Sequence, residues 1–150
     1  MNKKIFIGAD HNGFQLKEKL EQWLKTQNYE VVDAGDERLN PDDDYPEFAS
    51  KLVTLMLSSE EPEPMGILLC GSGQGMAMAA NRFKGIRAAL VWNKKTAEMS
   101  RHDDDANVLC LSAWELNEEA VIDVTQTWLQ TPYGRAARYI RRIKELDSLN

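Results

Sequence analysis

The apolar positions fall into short runs that alternate with stretches of helical period. Ile5-Phe6-Ile7 is a compact apolar run that stops at Gly8, as a buried strand does. Residues 14–25 follow, with Phe14, Leu16, Leu20, Trp23 and Leu24 near helical spacing. Tyr29 to Val32 predicts a second strand, and the acidic stretch from Gly35 to Asp44, with its Asn40-Pro41 pair, predicts a surface loop. Phe48, Leu52, Leu55 and Met56 mark a second helix, which Pro62 and Pro64 keep from continuing. Gly66 to Cys70 reads as a buried strand and Met76 to Phe83 as a helix. Ile86 to Trp92 predicts a fourth strand, Thr96 to Arg101 a helix, and Val108 to Leu111 a fifth strand. Two helices near 115–130 and 134–147 close the chain. Strands alternating with helices predict an α/β fold, a Rossmann-like three-layer α/β/α arrangement around a five-stranded parallel sheet.

The 150 residues suit one domain, 1–150, large enough to bury a core without a disulfide or metal staple. Two cysteines exclude a disulfide-rich secreted scaffold and predict free thiols in a reducing compartment. Eighteen basic residues against 24 acidic ones leave a formal charge of −6, which argues against nucleic-acid or anionic-membrane partners. No run approaches a membrane span, and Ile5 to Ile7 is too short for a signal-peptide core, so a cytoplasmic protein is expected. The charge is uneven. Residues 30–63 hold eleven acids and two bases, whereas 134–144 hold five bases and no acid. Solvated faces would account for both; the basic cluster is also a candidate anion site.

Ligands of open α/β sheets bind beyond the carboxyl ends of the strands. That rule singles out Asp10 to Gly13, Asp33 to Asp44, Cys70 to Gly75, and Asn93. Gly71-Ser72-Gly73-Gln74-Gly75 lies between a strand and a helix, where glycines let backbone N–H groups turn toward an anion. Its spacing is neither the dinucleotide fingerprint nor a P-loop, so a dinucleotide cofactor is not expected. A tight turn alone would also explain it. Cys70, at the strand end beside a helix start, is a candidate base or nucleophile, whereas Cys110 inside Val108-Leu109-Cys110-Leu111 fits a buried filler. Asp10 and His11 offer an acceptor and a donor to a sugar hydroxyl or phosphate, although Asp10 or Asn12 could simply cap the helix that follows. Arg138 and Arg142 are four apart on one helical face and could grip a phosphate.

Together these segments resemble the ribose-5-phosphate isomerase type B and galactose-6-phosphate isomerase family along nearly the whole chain. The resemblance rests on Gly8-Ala9-Asp10-His11-Asn12-Gly13-Phe14, Asp44-Tyr45-Pro46, Gly66 to Ala88, Asp105-Ala106-Asn107-Val108-Leu109, and Arg138 with Arg141-Arg142. It implies aldose–ketose isomerisation without metal or cofactor, through a cis-enediolate. Carried over, Cys70 is the base that moves the proton between C1 and C2. The N–H groups of Gly71, Gly73, Gln74 and Gly75 hold the oxyanion. Ser72 handles hydroxyl protons, Asp10 binds substrate hydroxyls, and Tyr45 walls the pocket. His11, Arg138 and Arg142 bind the phosphate of a small phosphorylated sugar. The resemblance also implies a homodimer or a dimer of dimers, with sites completed by the partner.

The sequence departs from that pattern in Arg101-His102-Asp103-Asp104-Asp105-Ala106-Asn107. The family's ring-opening histidine position holds Asp103, the next asparagine becomes Asp104, and His102 stands one place early. Seven residues after Asn107, where members commonly carry a phosphate-binding arginine, stands Trp114. Asp103 and Asp104 therefore count among the candidate substrate-binding residues. Ribose 5-phosphate is the default substrate. An aldotetrose 4-phosphate, which cannot close a furanose ring, and a non-catalytic sugar-phosphate-binding role are the alternatives.

Overall fold

A computed structural model describes residues 2–149. Five strands form one parallel sheet: β1 (Lys4–Ala9), β2 (Glu30–Asp33), β3 (Met65–Cys70), β4 (Ala88–Leu90) and β5 (Val108–Ser112). Six helices connect and follow them: α1 (Phe14–Thr26), α2 (Tyr45–Leu57), α3 (Gln74–Ala80), α4 (Lys94–His102), α5 (Glu118–Gln130) and α6 (Ala137–Asp147). The spatial order is β2-β1-β3-β5-β4. The expected five-stranded parallel α/β sheet is the one observed.

The period of two along each strand divides the core. Ile5, Ile7, Ile67, Leu69, Leu109 and Leu111 pack against Leu20 and Leu24 of α1 and Val121, Val124 and Trp128 of α5. Phe6, Leu68, Cys70, Val108 and Cys110 point the other way, onto Leu52 and Met56 of α2 and Met76 and Ala80 of α3. Right-handed crossovers produce this split. Chain moving toward β2 or back from β4 sends its helix to one face, and chain moving from β2 to β3 to β4 sends its helix to the other. The loop after β3 therefore leaves toward α3 while the loops after its neighbours β1 and β5 leave toward α1 and α5. A crevice opens at the carboxyl end of β3, where switch-point folds take ligands.

Several boundaries differ from the sequence expectations. β4 spans only Ala88–Leu90 rather than 86–92. At its start the Arg87 N–H is claimed by Asn107 Oδ1 at 2.8 Å, and at its end Asn93 and Thr96 form a capping box that turns the chain into α4. The third helix runs Gln74–Ala80 and stops because Asn81 folds back on Ala88, donating to its carbonyl and accepting from its N–H. The last helix starts at Ala137, not 134. None of its residues is buried, although Ile140, Ile143 and Leu146 line one side. Among the described residues no helix is long and apolar enough to cross a membrane.

Candidate active site

Cys70 closes β3 with 4% of its surface exposed. Its Sγ accepts a hydrogen bond from the Gly73 N–H at 3.1 Å, and the Ser72 and Met76 amides also face it. This turn requires Gly73 in the left-handed region (φ +77°), where a side chain would strike Leu90 and the Leu111 backbone. Burial pushes the Cys70 thiol above its ordinary value; the Asp10 charge adds to that, and the loop N–H groups pull the other way. Burial outweighs those amides. Cys110 is fully buried, and burial pushes its thiol up, so it is the inert filler expected.

Asp10 follows β1 and is 4% exposed. It does not cap α1, whose N-cap is Gly13. Its Oδ1 instead accepts from the Asn12 and Gly13 N–H groups at 2.9 and 3.2 Å, folding the loop into a tight turn. That turn lies flat on β3, and a Cβ on Gly13 would come within 2.6 Å of the Leu69 carbonyl oxygen. Burial raises the Asp10 carboxyl above the usual range against the pull of those two N–H groups. His11 turns to the loop after β2. Asp43 Oδ1 accepts from the His11 backbone N–H at 3.0 Å and meets its Nδ1 at 2.7 Å. That bond raises the His11 imidazole above its ordinary value.

Two aromatic rings wall the glycine loop. Tyr45, at the start of α2, lies so close to Gly75 that a Cβ there would meet its ring at 2.7 Å. Trp114, just past β5, covers Gly71 from the other side and is 71% exposed. The loop after β5 is laced to β3: Ala113 N–H donates to the Cys70 carbonyl at 2.9 Å, and Trp114 N–H to the Gly71 carbonyl at 3.0 Å. Ser112 Oγ donates to the same Gly71 carbonyl at 2.7 Å. Ser72 Oγ accepts from the Gln74 N–H at 3.3 Å at the mouth of the loop.

The remaining predicted site residues lie elsewhere. α4 runs back from the carboxyl end of β4, so Asp103 and Asp104 sit where the strands begin. There Gly66 N–H donates to the Asn107 carbonyl, and Arg87 pairs with Asp105. A six-residue strand is about 20 Å long, and that span separates them from Cys70. α6 stays at this edge: the His102 and Tyr139 rings meet edge-on at 5.6 Å, and Arg87 reaches Asp147 at 3.4 Å. Arg138 stacks over Tyr139 at 4.5 Å and donates to its hydroxyl at 2.9 Å. His102 Nδ1 meets Asp103 Oδ1 at 2.7 Å. That bond, with help from the Tyr139 hydroxyl and the Arg138 charge, holds the Asp103 carboxyl below its ordinary range. Burial and the Asp103 charge raise Asp104, which Arg142 opposes. Within one chain the predicted site residues thus fall into two groups at opposite edges of the sheet. Cys70, Ser72, Asp10, His11, Tyr45 and the glycine loop form one, and Asp103, Asp104, Arg138 and Arg142 form the other. The sequence reaches Asp43 only as part of the Asp33 to Asp44 stretch at the ligand edge; its pairing with His11, 32 residues away, has no local signal.

Residues 5–146 match the family described as Ribose/Galactose Isomerase. The chain is 43% identical over 145 residues to the probable ribose-5-phosphate isomerase B of Mycoplasma pneumoniae, covering 95% of this chain and 94% of that one. It is similar to the solved ribose 5-phosphate isomerase of Thermotoga maritima, with a TM-score of 0.92 and 40% identity, covering 99% of this chain and all of that one. The ribose-5-phosphate isomerase B of Mycoplasma genitalium, solved with bound ribulose-5-phosphate, superposes with a TM-score of 0.90 at 39% identity over 98% of this chain and 95% of that one.

Proposed function

Because the chain belongs to the ribose/galactose isomerase family, we propose that residues 1–150 act as one isomerase domain interconverting ribose 5-phosphate and ribulose 5-phosphate. The observation that carries this reading is a near-buried thiol facing backbone N–H donors, with a buried carboxylate beside it. The Cys70 thiolate takes the proton from C2 of the open-chain aldose. The electron pair moves into a C1–C2 double bond and negative charge gathers on oxygen as a cis-enediolate. Amides of the Gly71 to Gly75 loop receive that charge without reorganising. The thiol then returns the proton to C1 on the same face, and Ser72 carries the proton between O1 and O2. Both Asp10 turn bonds fall on Oδ1, which leaves Oδ2 for a substrate hydroxyl. Tyr45 and Trp114 exclude water from the flanks.

The phosphate needs cations, and among the predicted residues grouped with Cys70 the one that can carry positive charge is His11. A second copy supplies the rest: its α6 brings Arg138 and Arg142 to the open end of the crevice, and its Asp103 and Asp104 approach the sugar. An amphipathic α6 with no buried residue, and exposed Trp92, Met78 and Met99 on the body, support such a homodimer. A dimer of dimers would keep the same composite site.

A four-carbon substrate is the second reading, and Asp103 favours it. A carboxylate held ionised by His102 and Tyr139 is a poor proton donor for opening a sugar ring. An aldotetrose 4-phosphate needs no such step. Turnover of ribose 5-phosphate and erythrose 4-phosphate in D2O decides between them, since an enediolate exchanges its carbon-bound proton with solvent. Cys70→Ala should lower kcat by about 10²–10⁴-fold on the true substrate. Undiminished turnover by that variant would refute the assignment of the base.

A further inference from the structure

A carboxylate stands behind His11 that the isomerisation does not use. Asp43 lies in the acidic loop between β2 and α2, and its side chain is only 3% exposed. Its Oδ1 takes both His11 N–H groups, and its Oδ2 finds no partner among the described residues. The Asp36 carboxyl lies against it, but among the described residues the N–H donors to the Asp43 side chain are those of His11, so the carboxylate depends on the imidazole for its compensation. Dependence runs both ways. An ionised carboxylate has no proton to give, so the proton between them belongs to Nδ1. With Nδ1 tied back and the backbone N–H fixed to the same oxygen, the ring has one orientation, and Nε2 is the nitrogen without a hydrogen bond among the described residues.

We infer that Asp43 is a positioning residue that clamps His11 by Nδ1 so that Nε2–H is presented to the substrate's phosphate. The inference rests on the phosphate-binding role proposed for His11. It gives the acidic loop after β2 a part in substrate binding, although a carboxylate in that loop could only repel the phosphate directly. The charged groups facing the pair are Asp10 from the loop after β1, and Asp36 and Asp42 from the Asp43 loop itself. Asp10 and Asp42 favour the imidazolium; Arg138 and Arg142 of a second copy would oppose it. Burying a phosphate against a ring anchored by a carboxylate keeps the donor charged at neutral pH.

Nitrogen NMR of the wild-type protein gives the first test. The chain has two histidines, and His102→Gln assigns the remaining ring to His11. Above its titration, neutral His11 should carry its proton on Nδ1; a ring protonated on Nε2 overturns the inference, whatever the variants do. Asp43→Asn should lower the His11 titration midpoint. It should also raise KM for the preferred sugar phosphate at neutral pH about tenfold, the loss of one charge-assisted hydrogen bond, with kcat changing less than KM. In His11→Ala, adding Asp43→Asn should raise KM no further. An unmoved midpoint, or a further rise on the His11→Ala background, shows that Asp43 does not act through His11. A midpoint that falls while KM stays put refutes the phosphate role of His11 instead, and the inference with it.

Discussion

Alanine at Gly13 and alanine at Gly71 should have very different costs, although a new Cβ is equally cramped at both. At Gly13 it would meet the Leu69 carbonyl oxygen at 2.6 Å and its carbonyl carbon at 2.7 Å. Leu69 is the fully buried penultimate residue of the central strand, paired on one side with β1 and on the other with β5. It cannot retreat, so the Asp10 turn must lift. Overpacking against an unyielding neighbour costs up to about 3 kcal/mol. Gly13 has an ordinary φ of −93°, so alanine regains about 0.5 kcal/mol from the unfolded chain. A net loss of about 2–3 kcal/mol is expected, roughly 5–10 °C in Tm. At Gly71 the obstacle is the Trp114 ring, with Cε2 at 2.5 Å and Cη2 at 2.8 Å. That ring is 71% exposed and can swing into solvent, so the expected loss is below about 1 kcal/mol. Urea unfolding of both variants at one fixed protein concentration measures the difference. Activity should fall in both, by displacement of Asp10 in one and of the Trp114 wall in the other. Equal destabilisation would refute the argument that the identity of the neighbour, rather than the distance to it, sets the cost.

Iodoacetamide should alkylate Cys70 and abolish activity, with sugar phosphate slowing the loss; modification of Cys110 alone in the inactivated protein would contradict the assignment. The His11–Asp43 pair should stabilise the fold most between the ordinary values of its two groups, 3.8 and 6.5. Asp43 is depressed, so its contribution fades as pH falls and it protonates. His11 is raised, so its contribution fades as pH rises through its elevated midpoint. The difference in Tm between wild type and Asp43→Asn, followed across pH, should peak within that window, and a flat difference would refute the linkage. Trp114→Arg should lower KM for ribose 5-phosphate by about threefold to tenfold, since a cation at that place adds one charge-assisted contact. A raised KM would show that the indole itself contributes to binding.

The sheet was legible because its signals are local. Ile5-Phe6-Ile7, Gly66 to Cys70 and Val108 to Leu111 are apolar runs of strand length, and their order fixes where the ligand edge lies. The glycine loop, Cys70 and Asp10 were legible for the same reason, as each directly follows such a run. The sequence overextends β4 because apolar residues at 86 and 91–92 continue the pattern, whereas the Asn107 side chain and the Asn93 capping box end the ladder. Long-range pairings left no mark in the sequence. Nothing local joins His11 to Asp43, or Trp114 to Gly71. The four carboxylate and guanidinium residues near the C-terminal half could be grouped with Cys70 only through resemblance. In one chain the length of β3 keeps them from it.

The proposed composite site requires Cys70 from one chain and Arg138 and Arg142 from another. Co-expression of Cys70→Ala with an Arg138→Ala, Arg142→Ala chain tests it directly. Each variant alone should be nearly inactive. In a randomly assembled mixture half of the dimers pair the two lesions, and each of those has one intact site, so about one quarter of wild-type activity should return. If the mixture stays as inactive as its parents, each chain carries its own complete site and the composite arrangement is wrong.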